Sequence, residues 1–228
     1  LFFEKITEQK PILSTMNQKL LFLSDTPFLF IFTGQSGAGK DTQLKLLQSF
    51  VSQYSTRRQI VYSSGDYFRA LSESGSYTAR LMQEKNNRGE LTSSHISTMF
   101  FGQFLEKNFN NEEIIFFNGA PRFQKEAAQL DEAVRFYNLP AYVAHIKIDN
   151  ELAFDRLMKD ASRRERPETK TAENIRRKLA WYLPEVVPAI EYLRSSDRFM
   201  VRDFEGDTRV DMLHNQIVNS FCTATAVH

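Results

Sequence analysis

Phe28-Leu-Phe-Ile-Phe-Thr-Gly34-Gln-Ser-Gly-Ala-Gly-Lys40-Asp-Thr-Gln43 is the stretch on which the fold turns. Its opening run, residues 28–32, is wholly apolar and has the length of a buried strand. Glycines at 34, 37 and 39 follow at once, then Lys40, and behind it Leu44, Leu47, Val51 and Tyr54 recur at the spacing of one helical face. Strand, glycine-rich turn and helix, in that order, are the context of a phosphate-binding loop. Across Gly34, Gln35, Ser36, Gly37, Ala38 and Gly39 the backbone N–H groups can turn inward around phosphate oxygens, and the helix N-terminus adds partial positive charge. Lys40 then reaches the terminal phosphates and Thr42 brings a hydroxyl near them. The usual signature has Ser or Thr directly after the lysine. Here Asp41 intervenes.

Outward from this loop, apolar runs of strand length recur at residues 60–62, 114–117, 142–148 and 199–201. Amphipathic stretches separate them. Ala127, Leu130, Val134 and Tyr137 define one helix, and Ile175, Leu179, Tyr182, Val186 and Leu193 another, which Pro184 and Pro188 are expected to kink by removing backbone donors. Strands alternating with helices predict an α/β fold with a doubly wound, parallel five-stranded sheet, since a parallel crossover needs a helix-length connection. One domain is expected over residues 27–228. Residues 1–26, partly polar and of no clear periodicity, read as an extension of uncertain status.

Composition narrows the function. Lys and Arg number 29 against 28 Asp and Glu, so the basic excess that nucleic-acid backbones select is missing, and any phosphate recognition is expected to be local. The single cysteine, Cys222, excludes an internal disulfide and a Cys-based zinc cluster and fits a reducing compartment; the expected setting is cytoplasmic. The apolar run at 28–32 is far too short to span a bilayer, so no membrane association is expected, and a monomer is. His95, His145, His214 and His228 show no ligand or nucleophile–base spacing and receive no role.

Four segments, in order, make the chain resemble the adenylate kinase family of nucleoside monophosphate kinases. Gly34-Gln-Ser-Gly-Ala-Gly-Lys-Asp-Thr-Gln43 is similar to the family's G-x-P-G-x-G-K-G-T-Q. Ser63-Ser-Gly-Asp-Tyr-Phe-Arg69 resembles S-[ST]-G-D-x-x-R, Gly89-Glu-Leu-Thr-Ser-Ser-His-Ile96 resembles G-x-L-[VT]-x-x-x-[IV], and Asn118-Gly-Ala-Pro-Arg122 resembles D-G-F-P-R. The likeness implies transfer of the ATP γ-phosphate to a nucleoside monophosphate, AMP foremost, with Mg²⁺ as cofactor. It also implies an acceptor-binding helical insertion at about 64–95 and a short lid at about 161–171. By the same likeness Ser64, Gly65, Arg69, Leu91, Gly119, Arg122 and Glu126 would hold the acceptor, and Arg156 and Arg163 would serve ATP. Lys40, Arg122, Arg166 or a neighbour, and Lys178 would neutralise charge on the migrating group, and Asp66 would hold a water on Mg²⁺. Arginines suit the task, because phosphoryl transfer is mostly positioning and charge neutralisation.

The chain also departs from the pattern. Asn118 stands where the family has a strand-ending Asp that organises Mg²⁺, and the carboxylate of Asp41 is a speculative substitute. Asp160 and Lys178 stand where arginines are usual, and Glu168 with Thr169 replaces an acidic pair. Those losses keep open a nucleotide-binding protein with impaired transfer. At 126, where the family reads adenine with Gln, an ionised Glu can only accept hydrogen bonds, which keeps GMP open as the acceptor.

Overall fold

The computed structural model describes residues 26–87, 93–161 and 171–222. Five strands, β1 (Leu29–Gly34), β2 (Gln59–Ser63), β3 (Ile114–Asn118), β4 (Ala141–Lys147) and β5 (Phe199–Glu205), form one sheet in the order β2-β3-β1-β4-β5. Every pairing is parallel, and Phe30, for example, stands opposite Phe116 on one side and Tyr142 on the other. The expected five strands are all present. β5 runs further than its apolar residues suggested, because it is an edge strand whose later residues, Arg202, Asp203 and Glu205, face other partners than the core.

Strand alternation sorts the core onto the two faces of the sheet. Leu29, Ile31, Ile115, Phe117 and Val143 point to one face. They pack there with residues of α4 (Ser94–Asn108), α5 (Gln124–Tyr137) and α8 (Val187–Ser195). Phe28, Phe30, Phe32, Phe116 and Ala144 point to the other, beneath α1 (Lys40–Val51) and α9 (Val210–Cys222). Leu44, Leu47 and Val51 are buried there as their spacing predicts. Helices on both faces make the fold doubly wound. After β2 the chain forms α2 (Ser64–Glu73) and α3 (Tyr77–Asn87).

A third, small cluster joins α6 (Asn150–Ala161) to α7 (Ala172–Ala180) through Ala153, Leu157, Ile175 and Leu179. The helix expected to kink at its prolines is divided in two. α7 ends at Ala180, a π-helical turn spans Tyr182–Val186, and α8 begins at Val187 with Pro188 in its first turn, where the missing N–H costs no helical bond. Pro184, without a donor, lies inside the π turn.

Candidate active site

β1 ends where the phosphate loop begins, and Gly34 is there for a steric reason. Its φ is +129°, and a Cβ would lie 2.1 Å from the Ile146 carbonyl oxygen on β4. Gly37 and Gly39 also have positive φ, at +87° and +90°. A turn closed by the Ala38 N–H on Gln35 O (3.2 Å) leads into α1, with Gly39 as its N-cap. Gln35 is buried and donates its amide to Asn150 at the start of α6. Lys40 folds back over the loop, its Nζ donating to Gly34 O at 2.9 Å and Gln35 O at 2.8 Å. Loss of water around that ammonium lowers its pKa to about 8; Asp41 opposes the shift, while the charges of Lys178 and Arg122 add to it. Lys40, Lys178 and Arg122 therefore converge on one electropositive place.

The residues expected to hold the acceptor gather at the ends of β2 and β3. Gly119, at φ +72°, turns the chain after β3, and the Ala120–Pro121 peptide is cis. The carbonyl oxygen of Gly119 accepts from Ser64 Oγ (2.8 Å) and from Arg122 Nε (3.0 Å), while Arg122 Nη2 donates to Ser64 Oγ (2.9 Å). The guanidinium also lies over the Phe68 ring, 5.5 Å from its centroid. Arg122 is thus fixed before any ligand arrives. Arg69 pairs with Asp66 one helical turn before it on α2, and Gly65 is open to that guanidinium, with a Cβ position 3.3 Å from its Nη1. Asp66 is exposed and pairs with Arg69 through one carboxylate oxygen, Oδ1.

Glu126 is 1% exposed. Its Oε2 accepts the Arg122 backbone N–H at 2.7 Å, a carboxylate reaching back from the first turn of α5 to satisfy a free donor before the helix. Its Oε1 is buried with no hydrogen-bond partner. Burial raises the pKa of this carboxyl, against the pull of the Arg122 N–H, the neighbouring Ser97 hydroxyl and the Arg122 charge.

The two departures most relevant to a metal touch each other. Asn118 Nδ2 donates to Asp41 Oδ1 across 2.7 Å, and Asn118 Oδ1 is buried and unpartnered. Among the described residues no three carboxylates, histidines or cysteines gather as a metal cage. Mg²⁺ beside nucleotides needs none, since phosphates and waters supply most of its ligands. The Asp41 carboxylate and the free Asn118 oxygen are acceptors that suit metal-bound water, so the residues present fit the ion.

Arg156 on α6 bridges the phosphate loop to the turn after β5, donating to Gly37 O (3.4 Å) and Gly206 O (2.9 Å). Ser36 and Thr42 lie on the loop and the first turn of α1. Leu91, Arg163 and Arg166, like Glu168 and Thr169, fall outside the described residues. Sequence reasoning missed Phe68 beneath Arg122, Gly206 beneath Arg156 and a buried contact of His145 with Tyr182 and Asp203. Gly206 left one signal: a glycine just past a strand, where a Cβ would lie 2.7 Å from Ile148.

A family model described as "Adenylate kinase" matches residues 32–198. An adenylate kinase of Prochlorococcus marinus (strain AS9601) is 28% identical over 165 residues, covering 72% of this chain and 83% of that protein. An adenylate kinase of Alkaliphilus oremlandii (strain OhILAs) is 26% identical over 217 residues, covering 83% and 96%. The "Probable UMP-CMP kinase 1" of Arabidopsis thaliana is 26% identical over 165 residues, covering 72% and 74%. No helix among the described residues is long and apolar enough to cross a membrane. With the parallel sheet, the glycine loop closed by Lys40 and the pre-fixed Arg122 meeting that match, the chain belongs to the adenylate kinase family and is a nucleoside monophosphate kinase, a phosphotransferase.

Proposed function

We propose that this enzyme transfers the γ-phosphoryl group of ATP to AMP. The observation that carries the reading is the seating of Lys40 on the loop carbonyls of Gly34 and Gln35, within reach of the charges of Lys178 and Arg122. Lys40 leaves the carbonyls of Gly34 and Gln35 for the β- and γ-phosphates, and Arg122, held by Ser64, Gly119 and Phe68, grips the acceptor phosphate with Arg69. Lys178 and the lid arginines neutralise the migrating group, and Arg156 serves ATP. No general base is required, because the reaction depends on aligning two polyanions and spreading their charge. Mg²⁺, when bound, would neutralise phosphate charge; Asp41, Asn118 and Asp66 are the residues that would orient its waters. A lone cysteine and a near-neutral chain accord with a cytoplasmic enzyme that works on free nucleotides as a monomer.

Glu126 supports AMP through its burial. A protonated carboxyl offers one donor and one acceptor, the same pair as the Gln amide, and matches adenine N1 and its amino group. The unpartnered Oε1 is the atom for that proton, and burial favours it. Ionised, the same oxygen would instead accept from guanine N1–H, which makes GMP the second reading. Incubation with Mg-ATP and each of AMP, GMP, CMP and UMP should yield ADP from ATP plus the matching diphosphate, fastest with AMP. ATP binding without turnover on any acceptor replaces the kinase with a nucleotide-binding protein. Comparing kcat/KM across the four, before and after Glu126→Gln, tests the base reader: AMP use should persist, and any fall in it as the pH rises should flatten.

A further inference from the structure

His145 stands outside the phosphate site and is 5% exposed. On β4 it is the register partner of Asp203 on β5, and its Nδ1 lies 2.9 Å from Asp203 Oδ1. Its Nε2 lies 2.6 Å from the hydroxyl of Tyr182, the first residue of the π turn. The other charged groups around this contact come from α8, β4 and β5. Arg194 on α8 donates to the same Asp203 oxygen at 2.8 Å, and Lys147 on β4 stands 3.7 Å from the second oxygen and 3.2 Å from Glu205.

Donor and acceptor chemistry fixes the direction of the chain. An ionised Asp203 can only accept, so the imidazole proton sits on Nδ1, and Nε2 is left to accept from the Tyr182 O–H. Burial holds His145 below the ordinary histidine range, against the hydrogen bond and charge of Asp203, while Arg194 and Lys147 act with burial. Hydrogen bonds therefore run one way, from Tyr182 to His145 to Asp203, and tie the π turn to two strands of the sheet.

Lys178 lies in the last turn of α7, four residues before Tyr182. Between them Leu179 is packed into the small cluster with α6. Where Tyr182 is held, the end of the helix bearing Lys178 is held too. We propose that Tyr182, His145 and Asp203 form a positioning relay that sets the place of Lys178 relative to the phosphate loop. The proposal rests on the kinase reading for the role of Lys178, and on geometry alone for the relay.

Trp181, the only tryptophan, adjoins Tyr182 and reports on this turn. In the ligand-free protein its emission should change as the pH falls below the ordinary histidine range, because a second proton turns Nε2 from acceptor to donor and forces the Tyr182 hydroxyl to rotate its own proton away. The change should vanish in Tyr182→Phe. In turnover, Tyr182→Phe should lower kcat roughly tenfold with the KM for AMP within about twofold, the split expected when transition-state alignment alone is disturbed. Tyr182→Phe combined with Lys178→Ala should cost no more than Lys178→Ala alone, since the relay acts through that lysine. Additive losses in the double variant, or an acid change in Trp181 emission that survives in Tyr182→Phe, overturn the relay. Should the wild-type protein turn over no monophosphate, the kinase reading fails by itself and the Trp181 titration still decides on the relay.

Discussion

The Asn118 amide donates to the Asp41 carboxylate across 2.7 Å, joining the end of β3 to the first turn of α1. The strand end has become an amide where the family has a carboxylate, and a carboxylate has appeared on the opposite side of the same contact. One negative charge is kept within this pair, and the amide oxygen of Asn118 is left buried without a partner.

Asn118→Asp alone should set two carboxylates against each other, raise the pKa of one and cut the rate about tenfold. Adding Asp41→Gly should restore much of that loss, because it recreates the usual arrangement. The Mg²⁺ dependence of the rate, together with Mn²⁺ binding followed by electron paramagnetic resonance, measures the effect. An Asp41→Gly enzyme with unaltered metal dependence removes Asp41 from the metal's surroundings.

Lys40→Met should reduce transfer by at least about 10²-fold, as expected when a preorganised charge on the phosphates is lost. Circular dichroism and Tm should be nearly unchanged, since the ammonium contacts only loop carbonyls. With its pKa lowered to about 8, the free enzyme loses this charge as the pH rises through that value, and ATP binding should weaken there. Calorimetric titration on both sides of that pH checks it. A Lys40→Met variant of near wild-type rate would falsify the loop assignment.

Arg122→Ala should raise the KM for AMP and depress kcat together, at a cost of about 2 to 3 kcal/mol in kcat/KM for a lost charge-assisted contact. Arg122→Lys should recover little of it, because the ammonium cannot reproduce the fork that holds Ser64 and Gly119 together. Ser64→Ala, which removes one support of the guanidinium, should have a smaller effect of the same kind. Steady-state kinetics on the three variants would separate them.

His214 provides a stability test. Its ring lies edge-on to Phe50, its Nδ1 is buried without a partner, and burial lowers its pKa from 6.5 to about 4. Between those values the unfolded chain binds more protons than the folded one, so stability falls as the pH falls, by on the order of 3 kcal/mol over the whole window. His145, shifted the same way, adds to the slope. Urea unfolding at about pH 5 and about pH 8 should show the fall, and His214→Phe should flatten it.

The sheet was legible because residues 28–32 and 114–117 are apolar without interruption, which only a strand covered on both faces sustains. The loop was legible because a glycine with positive φ leaves its mark in the residue type itself. Arg122 was found through its motif, yet Phe68 beneath it carries no mark, since an aromatic at a helical spacing reads as core. His145 was passed over for a related reason. Its partners lie 37 and 58 residues away, and nothing local announces a contact made by strand register and a returning turn. Glu126 was singled out as the reader of the acceptor base, but its reach back to the Arg122 N–H is a property of the helix start that no ligand motif announces.

The four buried residues that unite α6 and α7 belong to neither core of the sheet, and the half-buried Ile148 packs against both them and the core beneath α1 and α9. So small an apolar nucleus cannot hold its helices with the cooperativity of the main body. These two helices should therefore be less protected, their amides exchanging with solvent deuterium ahead of those in β1 and β3. The far turns can yield before the sheet does, while the end of α7 stays moored through Tyr182 to β4 and β5.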